Sequence, residues 1–378
     1  MSGMRVAIGA VAGTIGGPAT YAVELVRALV AGHPGDRFVV LTDEPAAFAD
    51  FCETREVAMR SAWEQPLWDH LRVPRVLARE RFDLYHGTKG VLPRRGPTPA
   101  VVTIHDLASH VMPGSFRFAQ RLHLAWETPW ALTRARAVLV PSQSTAADLA
   151  RIFAGTPAVT AGIHVTPEAP ASGLEPASTA AVAAWRARHG LDRPSCGYLG
   201  TIQPRKNLHL LVDAFLAAAG DRDWRLVIAG RLRPGEKPDF LGRDRRVVYV
   251  GALADDEVAP FLGSIRCMVS PSAYEGFGLT FVEAMACGCP VVGLRNSSLP
   301  EVVGEAGVLV ERADVEALAP VIERLMTDDG VAEEYSRRGR EQAARFSWSE
   351  TARLTMDAYR AALAAAPAAS EPRAGGRP

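Results

Sequence analysis

The stretch "PSAYEGFGLTFVEAMACGCPVV", Pro271–Val292, decides the reading of this chain. It follows "RCMVS", whose apolar run predicts a strand, and it leads into "PVVGL", which predicts the next one. Between them lie a loop, "AYEGFG", and an apolar helix, "LTFVEAMACG", that Gly288 can terminate. Strand, glycine loop, helix and strand together make one unit of a parallel sheet. Gly276 and Gly278 let the backbone approach a ligand closely, and the unpaired N–H groups of Phe277, Gly278, Leu279 and Thr280 face outward at the positive end of the helix. That is an anion site. Glu275 stands at its mouth and Glu283 about one turn into the helix, with seven residues between them. Each carboxylate can accept two hydrogen bonds, so a pair flanking a diphosphate fits vicinal hydroxyls on either side: a ribose on one, a hexose on the other.

Working outward, the same alternation fills the second half of the chain. "CGYLGT", "DWRLVIAG", "RVVYVG", "CMVSPS", "PVVGL" and "AGVLV" read as strands, separated by helices such as "NLHLLVDAFLAAA" and "DDEVAPFLGSI". The first half repeats the plan with "RVAIGA", "DRFVVLT", "FDLYHG", "AVVTIHD" and "RAVLVPS". Between the halves, "TPEAPASGLEPASTAA" (166–181) is rich in Pro, Ala and Ser and breaks the pattern. The expected organisation is an α/β protein of two doubly wound parallel sheets facing a cleft. The first domain spans 1–170, a linker 171–190 and the second domain 191–346. A helix over 347–365 and a disordered tail over 366–378 complete it.

Composition excludes several classes. The 42 Lys and Arg balance 42 Asp and Glu, so nothing advertises a nucleic-acid partner. Five cysteines, Cys52, Cys196, Cys267, Cys287 and Cys289, lack CxxC or zinc-ligand spacing and read as buried, reduced thiols. No apolar run reaches the ~18 residues of a membrane span. The opening "MSGMRVAIGAVAG" has no secretory pattern, which points to a cytoplasmic protein.

Three further stretches carry chemistry. "GTIQPRKNL", Gly200–Leu208, places Arg205 and Lys206 at a strand end before a helix, where the dipole disfavours cations unless something anionic compensates. "GAVAGTIGGPATYAVEL" sets Gly16 and Gly17 after the first strand; without GK[ST] it is no P-loop, and a plain tight turn is the alternative. "AVVTIHDLA" ends a strand with His105 and Asp106, at the edge where ligands bind in open sheets.

Together these stretches resemble the retaining GT-B glycosyltransferases of the large glutamate-signature group that includes bacterial mannosyltransferases and glycogen and sucrose synthases. The likeness extends over nearly the whole chain, and "YLGTIQPRKN" and "TIHDLA" look most like the mannosyltransferase branch. The resemblance implies that Glu275 contacts the donor sugar, Glu283 the ribose, and Arg205 and Lys206 the departing diphosphate. It further implies that Gly16 and Gly17 face the diphosphate and that His105 bonds the sugar near C6. It implies a nucleotide-sugar donor, with GDP-mannose favoured over UDP- or dTDP-hexoses, no metal, and a glycan, lipid-linked or small-molecule acceptor. The helix over 347–365 would then return to the first domain. A sugar-nucleotide epimerase and a non-catalytic sugar-nucleotide sensor are the alternatives. The basic and aromatic stretches "RFAQRLHLAWETPWALTRARA" (117–137) and "WEQPLWDHLRVPRVL" (63–77) suit an acceptor groove or packed helices, with peripheral membrane contact the less favoured reading.

Overall fold

The computed structural model describes residues 3–11, 16–116, 118–232 and 238–364. Two parallel sheets form. The first has seven strands: β1 (Arg5–Gly9), β2 (Arg37–Thr42), β3 (Glu53–Glu56), β4 (Leu84–Gly87), β5 (Ala100–Thr103), β6 (Ala137–Val140) and β7 (Ile163–Val165). Their order is β3-β2-β1-β4-β5-β6-β7. The second has six: β8 (Ser195–Leu199), β9 (Arg225–Ala229), β10 (Val247–Gly251), β11 (Met268–Ser270), β12 (Val291–Leu294) and β13 (Val308–Val310), in the order β10-β9-β8-β11-β12-β13. Every central strand is a short apolar run because helices cover both faces.

The strand order reverses between β1 and β4 in the first sheet and between β8 and β11 in the second. At such a point neighbouring connections leave in opposite directions and open a crevice at the carboxyl ends. The stretches singled out above leave those edges: Gly16 after β1, His105 after β5, Arg205 after β8 and Glu275 after β11.

Two features differ from expectation. Half of the presumed linker is a helix, Thr179–Arg188, capped by the Ser178 hydroxyl accepting from the Ala181 N–H. Its Trp185 is buried against Phe261, so the helix belongs to the second domain's core. Alanine-rich composition had masked a single anchoring aromatic. Two edge strands also escaped: β3 is the charged "ETRE" and β7 only three residues long.

The helix Trp348–Ala364 lies against the helix Gly17–Gly32 and buries Trp348, Met356 and Tyr359 in the core of the first sheet. Tyr359 Oη meets His86 Nδ1 at 2.7 Å, while His86 Nε2 meets Thr103 Oγ1 at 2.7 Å. Burial pushes the His86 imidazole down to about 3, so it stays neutral inside this network. The tail over 366–378 lies outside the described residues. All five cysteines are free, and only Cys52 is partly exposed. Among the described residues no helix is long and apolar enough to cross a membrane.

Candidate active site

On the second domain the site is built by the two loops of the switch point. After β8 the chain makes a short turn, Pro204–Lys206, and then enters the helix Leu208–Ala219 through Asn207 at φ 52°. Asparagine tolerates this left-handed conformation, and its side chain donates to Pro271 O at 3.1 Å, tying the β8 loop to the β11 loop. The Ala273 N–H donates to Arg205 O at 2.8 Å, a second tie. Held this way, Lys206 Nζ bonds Glu275 Oε1, and Arg205 Nη1 lies 3.4 Å from Glu275 Oε2. Burial alone would raise the Glu275 carboxyl, but the charges of Lys206 and Arg205 outweigh it and hold the group below the usual carboxylate range. The backbone is equally constrained. The Glu275 N–H donates to Ser297 Oγ at 2.9 Å, and the buried Ser298 hydroxyl serves Glu275 O and Phe277 O at 3.0 and 2.9 Å.

Beyond Glu275 the loop turns through Gly278 at φ 95° into the helix Leu279–Ala286. A Cβ at Gly278 would lie 2.8 Å from Leu299, so both conformation and space require glycine. Among the described residues, the N–H groups of Phe277, Gly278, Leu279 and Thr280 donate to no protein acceptor, which leaves a row of donors for an anion. The Phe277 ring takes no part; it is buried edge-on to Phe346. Across the cleft, a Cβ on Gly17 would come within 3.9 Å of Leu279. Gly16, at φ 118°, starts the Gly17–Gly32 helix; the loop over 12–15 before it lies outside the described residues.

Glu283, one turn into the helix and near Glu168, has no hydrogen-bond or ion-pair partner for its side chain among the described residues. Burial, with the negative charges of Glu168 and Asp255 nearby, pushes its carboxyl up to about 8. The two glutamates of one signature are therefore in opposite electrostatic states.

The first domain closes directly on this loop. A Cβ at Gly276 would stand 2.0 Å from His105 O, so only glycine lets the two backbones touch. Ser142 Oγ and Thr145 Oγ1 both donate to Gly276 O, at 2.6 and 3.0 Å. Tyr274 Oη donates to Asp148 Oδ2 at 2.9 Å, and Asp106 lies 3.9 Å from Arg205. The Glu301 carboxylate accepts from the N–H groups of Gln143 and Ser144, at 3.0 and 2.9 Å, at the start of the helix Gln143–Ile152. Charge meets dipole there across the domain boundary.

His105 is held by both ring nitrogens: Nε2 is 2.8 Å from Thr88 O, and Nδ1 is 3.0 Å from Glu168 Oε1. A carbonyl only accepts, so Nε2 carries a proton, and another lies between Nδ1 and Glu168. The Tyr21 ring meets the imidazole edge-on at 4.6 Å. A hydrogen bond from this ring to a sugar requires one of the two present partners to be released. Sequence reasoning missed Glu168, Ser297, Ser298, Glu301 and Asp148. Glu168 lay inside "TPEAPASG", read as linker, and the serines followed "PVVGLRN" without a motif of their own.

The arrangement can therefore hold an anion on the Phe277–Thr280 donors, with cations beside it and a partnerless carboxyl one turn further on. Among the described residues, no group of three or more His, Cys, Asp or Glu side chains is placed to hold a metal ion.

Known proteins share this plan. Residues 15–165 match the Glycosyltransferase Family 4 domain and residues 193–328 the Glycosyl transferases group 1 domain. The O-antigen chain mannosyltransferase B of Escherichia coli is 31% identical over 292 residues, covering 73% of this chain and 74% of that protein. The fold matches sucrose-phosphate synthase from Thermosynechococcus elongatus with a TM-score of 0.74 at 24% identity, over 94% of this chain and 98% of that one. It matches Anabaena HepE, solved with UDP and glucose, with a TM-score of 0.75 at 20% identity, over 94% and 99% of the two chains. With its two Rossmann-like domains in the GT-B arrangement, the chain belongs to the group 1 glycosyltransferases.

Proposed function

We propose that the protein transfers a hexose, mannose from GDP-mannose by preference, from a nucleotide sugar to an acceptor hydroxyl with retention of configuration and without a metal. The observation that carries this is the cluster of Arg205, Lys206 and Glu275 beside the free N–H groups of Phe277–Thr280. A diphosphate on those donors lies next to two fixed cations. As the sugar departs, charge builds on the leaving diphosphate, and cations already in place favour that state over the ground state. Among the described residues gathered at the site, we assign none the part of an attacking nucleophile. The reading is accordingly a front-face substitution, in which the leaving diphosphate takes the acceptor proton. Glu275, ionised and aimed by its two cations, then meets the donor sugar, and Glu283 accepts from the ribose hydroxyls. Closure of His105 and Ser142 onto Gly276 excludes water and suppresses hydrolysis of the donor.

The preference for mannose follows the mannosyltransferase named above, with UDP- or dTDP-hexoses as the second reading, because HepE was solved with UDP. The test is thermal stabilisation of the purified protein by GDP, UDP, dTDP and ADP and their sugar conjugates, with EDTA present. A ligand that binds only the folded state raises the midpoint. A selective shift with GDP-mannose is expected. A shift confined to UDP or dTDP sugars replaces the donor, and no shift with any nucleotide sinks the assignment of the site.

A further inference from the structure

The first domain carries an apolar surface that the cleft chemistry does not use. In the helix Phe118–Arg134 the outward face is hydrophobic as well: Phe118, Leu122, Trp126 and Trp130 recur at every fourth residue and are 76%, 51%, 68% and 40% exposed. The inward face carries the buried Glu127 and Thr128 together with Ala131 and Leu132, which pack into the core of the first domain. An apolar stripe therefore also faces outward, where an ordinary surface helix carries polar residues. The neighbouring segment does the same. Trp63, Leu67 and Leu71, again four residues apart, are 89%, 48% and 49% exposed, whereas Trp68 and Asp69 between them are buried. Apart from Val111, these seven are the exposed large hydrophobic residues among the described ones, so the two stripes are not part of a general surface scatter.

The stripes form one face because buried polar bonds fasten their elements. His70 Nε2 lies 3.1 Å from Glu127 Oε1, and Arg94 Nη2 donates to the same oxygen at 2.8 Å. Trp68 Nε1 donates to Val57 O at 2.8 Å. The exposed charge within and beside these segments is mainly positive. Asp69 and Glu127 are buried, Glu64 is paired with Arg72 at 2.7 Å and Arg94 with Glu127 at 2.8 Å, while Arg60, Arg95 and Arg121 are exposed, with Glu56 at the end of β3 the exposed carboxylate before them. Aromatic and aliphatic side chains flanked in sequence by exposed arginines complement an anionic lipid surface. The location matches: both segments leave the carboxyl edge of the first sheet, one after β3 and the other after β5 and His105. The face therefore adjoins the mouth of the cleft.

We propose that the Trp63–Leu71 and Phe118–Trp130 stripes dock this enzyme on an anionic lipid surface. Given that the chain is a glycosyltransferase, the acceptor it reaches there is one carried by lipid. Docking precedes the chemistry and is separable from it.

The experiment is co-sedimentation with vesicles of phosphatidylcholine, with and without phosphatidylglycerol, at low and high salt, alongside tryptophan emission. Wild type should pellet with the phosphatidylglycerol vesicles, with a blue shift in emission as Trp63 and Trp126 leave water. The double variant Trp63→Ala/Trp126→Ala should lower partitioning by about tenfold or more. Arg121→Glu should weaken binding only where phosphatidylglycerol is present. Because these side chains are exposed, the variants should keep the thermal midpoint and any nucleotide-induced shift, which separates loss of docking from a wrong reading of the cleft. Wild type staying in the supernatant overturns the proposal, as does undiminished binding by the double variant. A dimer in light scattering that the double variant abolishes, with no vesicle binding, makes a second copy of the chain the occupant and equally overturns it.

Discussion

The two sheets present different chemistry at the edges that face each other. The edge of the second domain gathers its charges from near neighbours in the fold: Arg205 and Lys206 come from one loop and Glu275 from the next, fastened by Asn207 and the serines. The edge of the first domain satisfies its histidine from afar, His105 being held by Thr88 on one side and Glu168 on the other. Within the second domain the contrast repeats on a smaller scale. Glu275 has two cations, whereas one turn into the helix Glu283 has none among the described residues and is pushed up to about 8. A carboxylate whose partners are already in the protein is a fixed part of the machinery, while one without partners is available to a ligand.

The sharpest way to break this comparison is to remove one cation. Lys206→Met should destabilise the protein by about 3–5 kcal/mol, because it leaves Glu275 buried with Arg205 alone, and adding Glu275→Gln should restore most of the loss. Urea denaturation of both variants decides it. If the double variant were no more stable than the single one, the pair would not be the unit described here.

Glu283 offers the converse. Its folded value of about 8 lies above the ordinary 4.5, so below that ordinary value the folded and unfolded carboxyls are both protonated and Glu283→Gln should change little. As pH rises from 4.5 towards 8 the unfolded chain releases its proton first, and wild type loses stability that the glutamine variant keeps. The gap should reach on the order of 2 kcal/mol, less than the whole shift implies, because the side chain retains some hydration. Parallel stability curves from pH 4.5 to 8 would show that Glu283 is paired after all.

The smallest effect belongs to the domain boundary. Glu301→Ala removes the acceptor of two N–H groups at an exposed helix start and should cost about 1 kcal/mol or less in the same denaturation experiment. A loss several times larger would mean that this contact, rather than the buried packing of Gly276 on His105, holds the domains closed.

What could be read in the sequence follows the same division. All six strands of the second sheet stood out, since each is a run rich in apolar residues bounded by turns, even where, as in β10 and β13, it is only partly buried. In the first sheet β3 and β7 did not, because an edge strand can be charged, like "ETRE", or very short. The helix Thr179–Arg188 was hidden by its alanines, and only the burial of Trp185 reveals it. At the site, residues inside a continuous motif could be named in advance. Glu168, Asp148 and Glu301 could not, because each acts on a group far away in the chain and no local spacing encodes that. The state of charge was equally out of reach: nothing in "YEGFGLTFVE" says that its two glutamates ionise differently.

The helix Trp348–Ala364 sets the order in which the molecule can be made. Trp348, Ala352, Met356, Ala358, Tyr359 and Ala362 lie in the same core as Val6, Ile8 and Leu25. On the ribosome β1 and its neighbours therefore wait until this distant helix has been synthesised before their apolar face is fully covered. During that wait the second domain, whose core draws on later residues alone, can close first, and a fragment cut at the domain boundary would leave the first sheet with one side open to aggregation.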